Sequence, residues 1–487
     1  MLTVDITPMA VNGTAMYHVV RDSVRNILLK FPRARLQLSG MPIQRDEFLA
    51  NDLTLTSFQI ASASGLIDRF LDGHHNATHE STSGHPRNPE DILIVFDALY
   101  LLLYPKYDKS VAYVLDLTPF TRPEWHAERV SRKYKEAFAR LYDPTITPVA
   151  ISESTADDLW ANFAIPRSRV KVIPLYNRLA LPRSTLKTTK TFLFVGSLEV
   201  RKNVPGLISA FKSSGANRLG YNLRIAGTDS SASATVREIA ATTPGVHLLG
   251  RLSEEALRHE YAQCAALLFP SFWEGFGLPV LEAFAYGKPV LISNCGALPE
   301  VGGPHAIYVD PCHKPSLAKG IAELARRIDA GEFGEAYRRE TLQWVSMFSL
   351  ETYLDRLEEL LRSVDKSSVA HRPAKRNVLR VLSGFRVRSR GSIRNPAISR
   401  PNEMTPLDSF SPNQLYLIIQ TRRVRLMQDI ASYRSATPLA RLPKAAKAIQ
   451  SFVFLCVTNA LARAEINEAF LLRLSRGHEK DNESSVH

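Results

Sequence analysis

The chain has 487 residues, 45% hydrophobic and 22% charged, which excludes a mainly disordered chain, a fibrous repeat and a disulfide miniprotein. At roughly 150 residues per domain, this length implies two to three domains with substantial cores. The formal charge is +13, but residues 365–487 hold 21 Lys+Arg against 9 Asp+Glu, so the first three quarters are nearly neutral and the tail carries the charge. Cys264, Cys295, Cys312 and Cys456 show no CxxC pair or other metal-ligand spacing, which suits a reducing compartment. The opening MLTVDITPMA lacks a basic region followed by a long apolar run, so no signal peptide is expected. The apolar stretches Ile92–Tyr104 and Ile449–Ala462 fall short of the ~20 residues that a spanning helix needs. The expected location is cytoplasmic.

In chain order, Leu2–Thr7 reads as a strand and Met16–Leu29 as a helix. Glu80–Pro89 reads as a polar loop. Asp91–Val95 and Ser110–Leu115 read as buried strands, and Ala150–Phe163 as a turn followed by a helix. Leu175–Thr189 loses all periodicity, as an interdomain linker would. Beyond it, strands Thr191–Val195, Leu223–Ala226, Val246–Leu249, Ala266–Pro270 and Pro289–Ser293 alternate with helices. The helices are read near 204–212, 234–241, 254–263 and 279–286. Such alternation implies a parallel sheet covered on both faces. Two such units would leave a cleft at the carboxyl ends of both sets of strands. Residues 366–400 hold ten basic residues and no acid, and two helices are expected after them, about Asn413–Tyr433 and Ala440–Leu474.

The strongest chemical signal is PSFWEGFGLPVLEAFAYGKPVLIS, residues 270–293. Glu274 stands in a turn at a strand's carboxyl end. Gly275 and Gly277 precede a helix that Pro279 helps to start. A glycine-rich helix N-terminus offers free N–H groups and a positive dipole end to hydroxyl and phosphate oxygens. Glu282 lies eight residues on, inside that helix, so two carboxylates can grip different parts of one extended ligand.

This segment resembles the EGFGLPxLEA signature of retaining family-4 glycosyltransferases, GT-B enzymes that use nucleotide-sugar donors. TFLFVGSLEVRKNVPGLISAFK (191–212) is similar to that family's glycine loop, especially in members reading GTLEPRKN. LRIAG (223–227), VHLLGRLSEEAL (246–257) and SNCGALPEVGG (293–303) extend the likeness. VDITPM, VLDLTPF (114–120) and AISESTADDL (150–159) resemble the looser signatures of the acceptor domain, so the likeness spans about residues 1–362. It implies an α/β fold of the GT-B type, two Rossmann-like domains facing a central cleft. Residues 1–178 would form the acceptor domain, 190–364 the donor domain, and 365–487 a basic helical C-terminal extension.

The resemblance also assigns roles. Lys202 would neutralise the donor diphosphate as the leaving group gains charge, with Arg201 beside it. Gly196 would let backbone approach the phosphates, in a loop that also holds Ser197. Glu274 would accept hydrogen bonds from donor-sugar hydroxyls, and Glu282 from the ribose. Backbone around Gly275, Phe276, Gly277 and Leu278 would complete the cradle, and Arg251–Leu252 would edge the base. No metal or cofactor is expected, since Lys202 and the helix dipole can handle the phosphate charge. Retention without a convincing second carboxylate implies same-face attack, with the departing phosphate taking the acceptor proton.

Two departures stand out. Ser197 replaces an arginine that many relatives carry, and Leu115 replaces a histidine before Asp116. Asp116 reads equally as a catalytic residue that orients a sugar and as a strand-end cap, and His126 as a surface histidine. His74, His75, His79 and His85 cluster in a polar loop, but irregular spacing speaks against a metal site. Asn12 and Asn76 open sequons that a cytoplasmic chain would not present for glycosylation.

The reading is a retaining, metal-independent mannosyltransferase of surface polysaccharide or lipopolysaccharide synthesis. GDP-mannose is favoured as donor, with a saccharide or lipid-linked saccharide as acceptor. Residues 366–400 and the helices after them suit adhesion to the anionic inner face of the cytoplasmic membrane. Nucleic acid is not expected as a partner, because residues 366–400 hold one aromatic, Phe385. The rivals are a nucleotide-sugar epimerase of the same fold and a degenerate scaffold recruiting partners through its tail.

Overall fold

A computed structural model of the chain describes residues 2–11, 15–72, 91–104, 107, 109–179 and 188–366. The four-histidine loop, both sequons, most of the linker and the basic tail with its two expected helices lie outside the described residues. One compact unit holds both sheets described below, and the short segment Asp157–Arg169 belongs to a second. That segment carries most of the helix Glu153–Phe163 and an Arg167–Asp157 ion pair at 3.6 Å.

The first sheet contains β1 (Leu2–Asp5), β2 (Arg35–Leu38), β3 (Met41–Ile43), β4 (Ile92–Val95), β5 (Lys109–Val114), β6 (Ile146–Ala150) and β7 (Lys171–Val172). Their spatial order is β3-β2-β1-β4-β5-β6-β7, parallel except for the β2–β3 hairpin at one edge. The central strands β4 and β5 are buried along their whole length, which is why their sequences ILIV and KSVAYV run apolar without alternation.

The second sheet contains β8 (Thr191–Val195), β9 (Asn222–Ala226), β10 (Val246–Gly250), β11 (Ala266–Phe269), β12 (Val290–Ser293) and β13 (Ile307–Val309). All its strands are parallel, in the order β10-β9-β8-β11-β12-β13. The expected strands and helices of this half are all present. In each sheet the strand order reverses once, between β1 and β4 and between β8 and β11. Loops leaving the carboxyl ends at such reversals diverge and leave room for a ligand.

The helix Leu350–Lys366 ends the described chain and packs on the first sheet's helix Ala15–Lys30 rather than on the second sheet's helices. Tyr353 is buried there, its hydroxyl 2.9 Å from Ser23 and 3.3 Å from the Tyr113 hydroxyl of β5. Lys30 reaches Glu358 at 3.5 Å. Asn177 N–H donates to the Phe348 carbonyl at 2.9 Å, where the chain crosses between the halves for the first and second time. Among the described residues, no helix is long and apolar enough to cross a membrane.

Candidate active site

The geometry of the second sheet's loops starts from two glycines. A Cβ on Gly227 would stand 1.8 Å from the Gly196 carbonyl oxygen, so the loops after β8 and β9 touch backbone to backbone. Gly196 N–H closes the contact by donating to the Ala226 carbonyl at 3.0 Å. Downstream, Asn203 takes a left-handed conformation (φ 57°) and donates to the carbonyls of Pro270 (3.2 Å) and Pro311 (3.0 Å). Phe272 N–H donates to the Arg201 carbonyl at 2.7 Å. The loops carrying Lys202 and Glu274 are thus tied to one another before any side-chain charge is considered.

Those charges form one cluster. Lys202 Nζ donates to Glu274 Oε1 at 2.6 Å and Arg201 to Glu274 Oε2 at 2.8 Å. Arg201 also bonds Glu199 at 2.9 Å, and Glu199 accepts from the Ser197 hydroxyl at 2.6 Å. Lys202 and Glu274 are 8% and 6% exposed, so the pair is shielded from water. Burial alone would raise the Glu274 carboxyl, but Arg201 and Lys202 bring it down to about 2. Burial lowers the Lys202 ammonium, and the neighbouring Arg201 lowers it further. Lys202 and Arg201 thus share the two oxygens of the Glu274 carboxylate.

Glu282 is equally buried, inside the helix Leu278–Ala285, whose N-terminus Gly277 opens at φ 115°. That helix is apolar nearly all round because all but one of its residues are buried. Phe276 and Leu278 are buried there too, with Phe276 edge-on to Phe348 at 6.0 Å. Tyr261 donates to Glu282 Oε2 at 2.8 Å, and Arg178 approaches Oε1 at 2.9 Å. Sequence reasoning missed both partners, since they stand 21 and 104 positions away with no shared motif. Arg251 and Leu252 follow the edge strand β10, two strands from β8.

Loops of the first sheet meet those of the second at several points. A Cβ on Gly275 would lie 1.9 Å from the Leu115 carbonyl oxygen and 3.0 Å from Asp116 Cβ. Glu300 reaches across to accept from the N–H groups of Glu153 (2.8 Å) and Ser154 (2.6 Å), capping a helix of the other half. Trp125 stacks on Phe272 at 6.3 Å and 24°. Asp116 accepts from both the Thr118 N–H (2.8 Å) and the Thr118 hydroxyl (2.5 Å), which is the strand-end cap that the sequence allowed. His126 corrects an expectation. It is half-buried rather than a surface residue, because Thr118 holds its Nε2 at 3.0 Å and its neighbour Trp125 is pinned by Phe272.

Two acids below the carboxyl ends of the first sheet were not foreseen. Asp5 is fully buried, and its Oδ1 accepts from Thr7 (2.5 Å) and Tyr104 (2.8 Å), while Oδ2 finds no hydrogen-bond partner among the described residues. Burial pushes its carboxyl up to about 7. Burial likewise pushes Asp97 up to about 6, against hydrogen bonds from Tyr134 and the Leu99 N–H. A carboxyl protonated more readily in the folded than in the unfolded state stabilises the fold at low pH. That contribution is lost as pH rises from about 4 through about 7. Asp5→Asn, which cannot ionise, is therefore expected to stabilise the protein at pH 8 by on the order of 1 kcal/mol or more, with little effect at pH 4. Urea unfolding at the two pH values measures this. Equal effects at both would show that Asp5 does not carry the shift.

Two doubly wound parallel sheets with loops meeting at their carboxyl ends define a GT-B fold. Sucrose-phosphate synthase from Thermosynechococcus elongatus shares that fold, with a TM-score of 0.53 at 15% identity over 75% of this chain and 99% of the other. Residues 181–335 match the family model of glycosyl transferases group 1, the stretch that holds Gly196, Lys202, Glu274 and Glu282. The chain is similar to the Escherichia coli O-antigen chain mannosyltransferase B, at 28% identity over 45% of this chain and 61% of the relative. It is also 28% identical to the Escherichia coli serotype-specific mannosyltransferase WbdA, over 48% of this chain and 31% of that one. The match therefore spans about three fifths of the first relative and under a third of the second. The resemblance drawn from the motifs is borne out. Among the described residues, no group of three or more His, Cys, Asp or Glu side chains is placed to hold a metal ion.

Proposed function

We propose that the protein is a retaining glycosyltransferase that moves mannose from GDP-mannose to a saccharide acceptor, a lipid-linked one, in surface polysaccharide synthesis. The observation that carries this reading is the Glu274–Lys202–Arg201 cluster at the carboxyl ends of β8 and β11, next to Gly275, which packs closely against Leu115 and Asp116. The names of the mannosyltransferase relatives support the sugar and the polysaccharide.

In this reading the diphosphate enters beside Lys202 and the sugar hydroxyls beside Glu274. The bond from the anomeric carbon to phosphate oxygen breaks, leaving its electron pair on the phosphate. The acceptor oxygen bonds to that carbon from the same face, and its proton passes to the departing phosphate. Lys202 and Arg201 stabilise the charge that develops, and no side chain need act as base. A trapped covalent sugar–protein species would overturn this route. The charge of residues 365–487 supports adhesion to the anionic inner surface of the cytoplasmic membrane.

The test is thermal stabilisation by GDP, UDP, dTDP and CDP, repeated on Glu282→Gln, which leaves Arg178 a polar partner. Ligand at 100 times its Kd adds about 2.7 kcal/mol to the native state. GDP alone is expected to shift the melting temperature, and the shift should vanish in the variant. A shift by another nucleotide would overturn the donor assignment. No shift at millimolar concentration would overturn the transferase reading and favour a binding scaffold.

A further inference from the structure

His126 ends a short polar chain whose protons can be placed. The single Thr118 hydroxyl proton goes to Asp116 Oδ1 at 2.5 Å, so Thr118 Oγ1 can only accept from His126 Nε2, 3.0 Å away. The proton of the neutral imidazole is therefore on Nε2, and Nδ1 is left as an acceptor with no hydrogen-bond partner among the described residues. Burial lowers the imidazole pKa, which keeps it neutral near pH 7. The charged groups facing it are Asp116 on its own side, Glu124 on the preceding turn, and Arg201 and Glu199 from the second sheet's loop. Trp125, stacked on Phe272, fixes the ring beside the loop that carries Glu274.

We propose that His126 Nδ1 is a sugar-binding group, which accepts a hydrogen bond from a hydroxyl of the transferred sugar or of the acceptor saccharide at the seam between the two sheets. The inference rests on the glycosyltransferase reading. Asp116 and Thr118 are then positioning residues, which set the tautomer and aim the ring. Protonation would turn Nδ1 from acceptor into donor, so a hydroxyl held with its proton toward the ring loses its partner, and binding through it fades as pH falls below the ordinary histidine range.

Two substitutions separate this role from a structural one. His126→Asn keeps an acceptor near Nδ1 and loses the link to Thr118, whereas His126→Gln keeps the link and loses the Nδ1 acceptor. Transfer is expected to fall about tenfold in His126→Gln and less in His126→Asn, as suits one lost hydrogen bond. His126→Gln should also lose the acid limb of the pH profile. The reverse order, or two variants equal to the parent, overturns the proposal. A rise in KM for GDP-mannose, with slower acceptor-free hydrolysis, identifies the hydroxyl as the donor's. A rise in acceptor KM alone identifies it as the acceptor's.

If no transfer is detected with any donor, the imidazole can be read directly. Nitrogen NMR of the histidine-labelled protein should show the Nε2–H tautomer at position 126, with the Nδ1 resonance moving on addition of GDP-mannose or methyl α-mannoside. A static Nδ1 signal at saturating sugar sinks this inference. Absent nucleotide stabilisation sinks the transferase reading instead.

Discussion

Lys202→Ala is expected to lower sugar transfer by about 100- to 1,000-fold, the cost of removing one preorganised charge from a developing oxyanion, or about 2.7–4 kcal/mol. The fold should survive, since Arg201 still pairs with Glu274 at 2.8 Å and nothing is left as an uncompensated buried charge. Glu274→Gln should be as damaging to transfer but for another reason, and its signature lies in stability. With its carboxyl held at about 2, Glu274 binds a proton less readily in the folded state. It therefore stabilises the fold above about pH 4.5, and the contribution is lost as pH falls toward 2. Glu274→Gln removes that acid dependence and leaves the Lys202 and Arg201 cations repelling each other without the carboxylate that bridges them. Steady-state kinetics with urea unfolding at pH 7 and pH 3 checks both variants. Transfer within fivefold of the parent in Lys202→Ala would remove the lysine from the chemistry.

Gly275→Ala is expected to cost at least about 100-fold in transfer, although it changes no charge and no hydrogen bond. The added methyl would lie 1.9 Å from the Leu115 carbonyl oxygen and 2.9 Å from its carbon, and both are backbone atoms that cannot swing aside. The Glu274 loop must back away from Asp116, and displacements of ~1 Å at a reacting centre cost that much in rate. Overpacking of this kind also costs about 1–3 kcal/mol of stability. Gly65→Ala makes the control, because its Cβ would meet nothing within 4 Å on the helix Ser57–Leu71. It should leave transfer unchanged and stabilise the helix slightly. If both alanine variants keep parental rates, the two loops do not need their close approach.

The second sheet was readable because its central strands β8, β11 and β12 are buried apolar runs bounded by helices, a pattern that survives without knowledge of neighbours, whereas the three-residue edge strand β13 was not expected. The first was readable only in part. β2, RLQL, alternates weakly over four residues, and β3 has three. β6, ITPVA, contains Pro148, which argues against a central strand. It is tolerated because β7 pairs with β6 only from Val149 onward, so the proline needs no partner on that side. The helix Glu128–Arg140 buries only Ser131, Ala137 and Phe138 and has little apolar signal to detect.

For the site, the motifs identified Lys202, Glu274 and Glu282, but spacing cannot say where a side chain points. That Arg201 turns onto Glu274, that Arg178 and Tyr261 close on Glu282, and that Thr118 orients His126 are consequences of packing between distant segments. Asp5 was hidden for the same reason. An aspartate at a strand end is ordinary, and only its burial against Tyr104, 99 positions away, makes it unusual.

The helix Leu350–Lys366 bears on how such proteins can be recombined. Acceptor choice in a two-lobed enzyme invites exchange of the first lobe between relatives, with a single junction in the linker. Here that cut would part Tyr353 from Ser23 and Tyr113 and Lys30 from Glu358, leaving buried hydroxyls facing a surface shaped for another sequence. The first lobe is a discontinuous module, completed by a segment encoded after the second. A working chimera would carry two grafts, the leading residues and the closing helix, inherited together from the same parent.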